Sequence, residues 1–279
     1  MLPTVIFSDL DGTLLDHYTY QSTPASATLE QLKNAKTPVV LNTSKTLAEL
    51  EIINQNLNLN APFIIENGAA IYIPIGTFEK QPEDTQTVDG FWVKSFCLPR
   101  EYWLALLSEK SSDFSNQYQG FSTLTDLELA EITGLSLDDA NRAKQRQFGE
   151  PIHWLGDEET KKHFIEYMLD LGANVVQGGR FIHIGDYCDK GQALIWLAER
   201  YREHYNSSIV TIALGDGEND NSMLEAADFA VQIRSPVHEF PTLYRQYQTT
   251  KTKSYGPEGW AEAIQQLLSN SINSEVNHG

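Results

Sequence analysis

The sequence predicts an α/β protein, a doubly wound parallel sheet interrupted by an inserted α+β domain. Three observations predict it. Apolar runs of strand length alternate with helical stretches at both ends of the chain, as βα units do. Three of those runs stop abruptly in polar clusters: Val5-Ile6-Phe7-Ser8 before Asp9, Val39-Val40-Leu41 before Asn42-Thr43-Ser44, and Ile209 to Leu214 before Gly215-Asp216. Between these ends, from about Phe78, the rhythm changes to short strands in hairpin-like pairs mixed with helices.

The first run is apolar throughout, the mark of a strand covered on both faces. It ends in Asp9-Leu10-Asp11-Gly12-Thr13. Gly12 lets the chain turn without a Cβ clash. Two carboxylates so close repel, and the pair calls for a cation between them or a proton on one. Thr23-Pro24 opens a helix to about Asn34, with Pro suited to a first turn. Pro38 to Leu41 is the second strand, and a helix starts near Leu47. Hydroxyls at that helix start suit an anion, and either Ser44 or Thr46 can cap it. Pro62 to Ile65 and Ala69 to Ile73 are two more strands, separated by Glu66-Asn67-Gly68.

Gln81 to Gly90 is expected to be a loop and Phe91 to Phe96 a strand. Helices are expected over about Glu101–Lys110, over Leu127–Ile132 and from the Ser136 cap to about Gln147. Ile152-His153-Trp154 is a short strand, and Asp157 to Thr160 opens a further helix. Asn174 to Gln177 and Phe181 to Ile184 pair across Gly178-Gly179-Arg180. The inserted domain is therefore placed at residues 82–186, with the core made of 1–81 and 187–279. The core resumes with Asp189-Lys190-Gly191 at the head of a helix to about His204. The strand 209–214 and its polar cluster follow, then a helix near Asn221, a strand over Phe229–Ile233 and a C-terminal helix with Trp260 on the core.

Composition narrows the function. A formal charge of −18 over 279 residues disfavours nucleic acid and anionic membranes as partners. Two cysteines without metal-ligand spacing, no apolar run of membrane length and no basic, cleavable start predict a cytoplasmic protein. Its oligomeric state is not written in the pattern.

The polar strand ends can converge on one crevice of a doubly wound sheet, and phosphoryl transfer uses them all. Asp9 and Asp216 form a hard oxygen site for Mg²⁺. Asp9 attacks phosphorus, and Asp11 protonates the leaving oxygen and then activates water. Ser44 and Lys190 hold the phosphoryl oxygens, while Asp220 and Asn219 orient the surroundings of the metal or Lys190.

Together, Asp9-Leu10-Asp11-Gly12-Thr13, Ser44, Lys190 and Gly215 to Asp220 resemble the four motifs of the haloacid-dehalogenase-like phosphatases. The resemblance implies a Rossmann-like core, Mg²⁺ dependence, an aspartyl-phosphate at Asp9, and metal contact by Asp9, Asp216 and the main-chain carbonyl of Asp11. It also implies that the insertion is a cap that selects the substrate. The acid at Asp11, where the family's ion pumps have Thr, points to a hydrolase or mutase.

Asn42 to Thr46, Glu66 to Ala69, Ile132 to Ser136, Gln177 to His183 and Gly256 to Trp260 further resemble the mannosyl-3-phosphoglycerate phosphatases. That implies a glycosylated phosphoglycerate as substrate, and mannosylglycerate, a compatible solute, as product. Arg180 could fork onto the glycerate carboxylate, with Gly178 and Gly179 admitting the sugar and Lys45 adding charge beside Ser44. The alternatives are a glucosyl-3-phosphoglycerate or general sugar-phosphate phosphatase, a phosphomutase, or a non-enzymatic phospho-acceptor domain.

Overall fold

The computed structural model describes residues 2–178 and 180–276, without the side chains of 178 and 270–276. In chain order, β1 (Thr4–Ser8) precedes a 3-10 turn at Thr23–Ala25 and α1 (Ser26–Asn34). β2 (Val39–Asn42) is followed by α2 (Leu47–Leu57), then β3 (Phe63–Ile65) and β4 (Ala70–Pro74). The cap of α2 is Thr46, not Ser44: its hydroxyl accepts from Glu49 N–H while the Glu49 carboxylate accepts from Thr46 N–H. A hairpin, β5 (Gln86–Val88) and β6 (Phe91–Ser95), comes next.

Then come α3 (Arg100–Lys110), β7 (Tyr118–Gly120), α4 (Asp126–Thr133) and α5 (Leu137–Lys144). They are followed by β8 (Gly149–Trp154), α6 (Glu158–Asp170), β9 (Asn174–Gly178) and β10 (Phe181–Gly185). The chain continues with α7 (Lys190–Tyr205), β11 (Val210–Gly215), α8 (Asn221–Ala226) and β12 (Phe229–Arg234). It closes with β13 (Thr249–Tyr255) and α9 (Gly256–Val276).

These elements form two compact units. The first comprises residues 1–43, 59–94 and 189–279, and the second 44–58 and 95–188. The first carries a nine-stranded sheet in the order β13-β12-β11-β1-β2-β3-β4-β6-β5. Its strands from β13 to β3 are parallel, and β4 pairs antiparallel with β3. The chain leaves β1 toward β2 and β3 on one side and comes back as β11, β12 and β13 on the other. This reversal puts a crevice at the carboxyl ends of β1 and β11.

Two expectations need correction here. Residues 86–88, expected to be loop, pair with β6 through an Asp89-Gly90 turn with both residues at positive φ. The hairpin extends the sheet beyond β4, so it reaches past residue 82, where the insertion was expected to begin. β13, unforeseen, is an edge strand whose Lys251 and Lys253 leave no apolar alternation to read.

The second unit has its own sheet, β7-β8-β10-β9, antiparallel throughout. Ile152, Ile182 and Ile184 project from one face onto Trp103 and Leu107 of α3 and Phe164 and Met168 of α6. A smaller cluster of Phe121, Leu124, Leu129 and Ala140 joins α4 to α5 and touches Phe181.

Candidate active site

The site is built where β1 and β11 end. β1 is buried from Val5 to Ser8, and Asp9 continues its pairing by donating its N–H to the Leu214 carbonyl, 2.9 Å away. The carbonyl of Asp9 accepts from Ser8 Oγ at 2.7 Å, and Ser8 Oγ accepts from Nε1 of the buried Trp260 at 2.9 Å. The indole thus braces the main chain beneath Asp9.

Lys190, wholly buried at the start of α7, donates from Nζ to Asp9 Oδ1 and to Asp220 Oδ1, both at 2.6 Å. Its carbonyl accepts from the Asn42 amide at 3.0 Å, which ties the helix to the end of β2. Asp220 is held from its other side by the N–H groups of Asp216 and Gly217, each at 3.0 Å. Asp216 follows β11, and its Oδ1 accepts from Thr13 Oγ1 at 3.3 Å. Gly12, at φ +76°, admits this carboxylate: a Cβ there would stand 2.5 Å from Asp216 Oδ2. His238, from the segment after β12, places Nε2 3.3 Å from the same oxygen.

Electrostatics follow from this crowding. Burial, then the Asp220 charge, push the Asp9 carboxyl up, while Lys190 pulls it down. Burial works against the charge on Lys190, but Asp220 and Asp9 override it and hold the ammonium protonated. Burial and Asp220 also raise Asp216, opposed by His238 and by the Thr13 hydroxyl. Carboxylate oxygens of Asp9, Asp216 and Asp220 lie within 4.8 Å of one another, an all-oxygen set of the kind a hard divalent cation takes.

The structure therefore brings together Asp9, Lys190, Asp216 and Asp220. Asp11 is half-buried in the turn after β1, where it bridges to Leu15. Asn219 is exposed and donates to Asn67 Oδ1 at 3.3 Å. The carboxylate cluster holds Asp9 and Asp216 of the expected metal set, joined by Asp220; Asp11 is expected there through its main-chain carbonyl and not its carboxylate. The remaining candidates belong to the second unit. There the Ser44 carbonyl accepts from Arg146 Nη2 at 3.3 Å, and Lys45 pairs with Glu49 at 3.6 Å. Arg180 is exposed and donates from Nη1 to the Ile132 carbonyl. Gly178 ends β9, and Gly179 lies outside the described residues.

Sequence reasoning missed Asn42, Ser8 and His238 as parts of this arrangement. Asn42 carried a signal, a polar residue in the last position of a buried strand. His238 carried none.

The chain is similar to known proteins in both sequence and fold. Residues 6–240 match the family described as haloacid dehalogenase-like hydrolase. A glucosyl-3-phosphoglycerate/mannosyl-3-phosphoglycerate phosphatase of Methanococcoides burtonii is 35% identical over 269 residues, 96% of this chain and 98% of the relative. One of the same name from Persephonella marina is 34% identical over 280 residues, 95% of this chain and 97% of the relative. Among solved structures, a Thermotoga maritima protein superposes with a TM-score of 0.67 at 18% identity, covering 95% of this chain and 97% of its own. The sucrose-phosphatase of Synechocystis gives 0.58 at 15% identity, covering 95% and 98%.

Proposed function

The chain belongs to the haloacid dehalogenase-like hydrolases and is a phosphoric monoester hydrolase, and from that premise we propose that it dephosphorylates a glycosyl-3-phosphoglycerate. In this reading mannosyl-3-phosphoglycerate is converted to mannosylglycerate and phosphate, with the glucosyl compound as the alternative substrate. The single observation that carries it is the buried Asp9–Lys190–Asp220 chain at the switch point of the sheet. A lysine shared by two carboxylates has an obvious use in keeping one of them ionised and aimed.

Asp9 is the nucleophile. One of its carboxylate oxygens attacks phosphorus while the bond from phosphorus to the ester oxygen breaks, and Asp11 gives the leaving oxygen its proton. Asp11, now ionised, takes a proton from water as that water attacks the aspartyl-phosphate. The bond from phosphorus to Asp9 then breaks, phosphate leaves, and both residues return to their starting forms. Ser44 and Lys190 hold the phosphoryl oxygens as charge shifts.

The oxygen donors at this site suit Mg²⁺. Lys190 and two main-chain N–H groups engage Asp220, so Asp9 and Asp216, with the Asp11 carbonyl, would hold the cation. When bound, Mg²⁺ supplies positive charge that offsets carboxylate–phosphate repulsion and polarises the phosphoryl group.

In the second unit, Arg180 would fork onto the glycerate carboxylate, with Gly178, Gly179 and Lys45 adding contacts, and in the first unit Asn219 would contact the substrate's phosphate. Residues 95–188 would act as the cap that selects the substrate. The test is phosphate release from mannosyl- and glucosyl-3-phosphoglycerate and a panel of sugar phosphates, with and without Mg²⁺. Asp9→Asn should abolish release and leave no acid-stable phosphoprotein, and Arg180→Ala should blunt the preference for glycerate-bearing substrates. Full activity of the first variant defeats the covalent route, and unchanged preference in the second defeats the role of Arg180.

A further inference from the structure

The segment between β12 and β13, residues 235–248, has no regular structure yet is fixed at several points. The buried Gln232 amide donates to the Pro241 carbonyl. The Arg245 guanidinium donates to the carbonyls of Leu224 and Ala227, both at 2.6 Å, and of Asp228 at 2.8 Å, closing the C-terminal end of α8. Glu225 accepts from the N–H groups of Tyr244 and Arg245, and the Lys251 ammonium lies 4.9 Å from the centre of the Phe240 ring.

A segment held this firmly can deliver one side chain accurately. That side chain is His238, with Nε2 3.3 Å from Asp216 Oδ2 and Nδ1 3.0 Å from the Glu239 carbonyl. The opposite oxygen of Asp216 takes the Thr13 hydroxyl. With His238 at one oxygen and the Thr13 hydroxyl at the other, and Ser235 adding a hydroxyl from the same segment as His238, the carboxylate is held from elements far apart in the chain. The imidazole is 43% exposed, so apolar burial does not explain where it lies.

We propose that His238 is a positioning residue for the divalent cation, holding Asp216 in the orientation that ligates it. The inference rests on the reading of Asp9 and Asp216 as the cation site. Partners of this kind, bonded to a ligand rather than to the metal, change metal affinity by about 10- to 100-fold when removed.

The experiment measures binding rather than turnover. Mn²⁺ is titrated into the protein while free Mn²⁺ is followed by electron paramagnetic resonance, and Mg²⁺ is then used to displace it. His238→Ala should weaken Mn²⁺ and Mg²⁺ binding by about 10-fold, with an unchanged urea midpoint, and His238→Gln, whose amide can donate, should recover part of the loss. Asp216→Asn is the reference. Loss of binding in Asp216→Asn with unaltered affinity in His238→Ala overturns the role given to His238 alone. Undiminished binding in Asp216→Asn overturns the cation site itself, and the inference with it.

Discussion

A Cβ placed on Gly68 would stand 2.1 Å from the carbonyl oxygen of Asp189. Gly68 also sits at φ +97°, where any other residue is strained. This close approach lets the turn after β3 pack on the start of α7, where Lys190 begins. Gly68→Ala must push the two segments apart or distort both. It is expected to cost about 2 kcal/mol or more in urea unfolding and to lower phosphate release by at least about 10-fold, because Lys190 loses its aim at Asp9. A variant with wild-type stability and rate would show that the approach has no bearing on the lysine.

Lys190→Met tests the lysine itself. It leaves Asp9 and Asp220 facing one another without the cation that joins them. Removing one member of a buried ion pair costs about 3–5 kcal/mol at neutral pH. The sign of the pH dependence follows from Asp9, whose folded-state pKa already lies above its unfolded value of about 3.9. Such a group contributes stability that is present below the unfolded value and is lost as pH rises through the folded one. Without Lys190 the folded value rises further, so the variant's deficit should be largest near neutrality and shrink on acidification toward pH 4. Urea midpoints across that range check this, and a deficit independent of pH would refute it.

A second pH effect belongs to His183. On β10 it is partly buried, and burial first, then the Arg146 charge, push its imidazole down to about 4. The unfolded chain takes up that proton at about pH 6.5, before the folded one does. Stability should therefore fall as pH drops from about 6.5 toward about 4, with this group contributing about 2–3 kcal/mol to the fall. His183→Gln should flatten that part of the profile, gaining on the wild type at pH 4.5 and not at pH 8. Parallel profiles for the two proteins would place the cause elsewhere.

How much of this was legible in the sequence depends on the kind of signal each element carries. β1, β2 and β11 are apolar runs that stop at carboxylates or hydroxyls, and a buried strand cannot hide such an ending. The proximity of Asp9, Asp216 and Asp220 could be inferred from those endings because the winding of a parallel sheet dictates where they meet, and Lys190 joins them from the head of a helix. β5 and β13 were not legible by apolar pattern. All three residues of β5 are exposed, and β13 alternates Thr with Lys. Yet Asp89-Gly90, between the two strands, is a strong hairpin signal. The place of His238 is set by Gln232, Glu225 and Arg245 acting at a distance, and nothing local to the histidine announces it.

The second unit makes its own prediction through Glu150, a buried carboxylate away from the phosphoryl chemistry. Glu150 Oε2 accepts from Arg100 Nε at 2.7 Å, and Nη2 of the same side chain lies against that oxygen as an ion pair. Oε1 accepts from Ser122 N–H at 2.9 Å and Ser122 Oγ at 2.7 Å, and Arg100 Nη1 reaches the Lys144 carbonyl at 2.9 Å. One carboxylate thus joins the start of α3, the segment after β7 and, through Arg100, the end of α5. It is 1% exposed and its arginine 11%, so neither can turn to water when its partner is removed. Glu150→Ala strands a buried guanidinium and two Ser122 donors, and should cost about 3–5 kcal/mol. Arg100→Met with Glu150→Leu removes both charges and should cost less than Glu150→Ala alone, retaining mainly the loss at Ser122. Urea unfolding of the single and double variants decides the matter: a double variant as unstable as the sum of the two single ones would mean that the pair contributes through packing and not through charge.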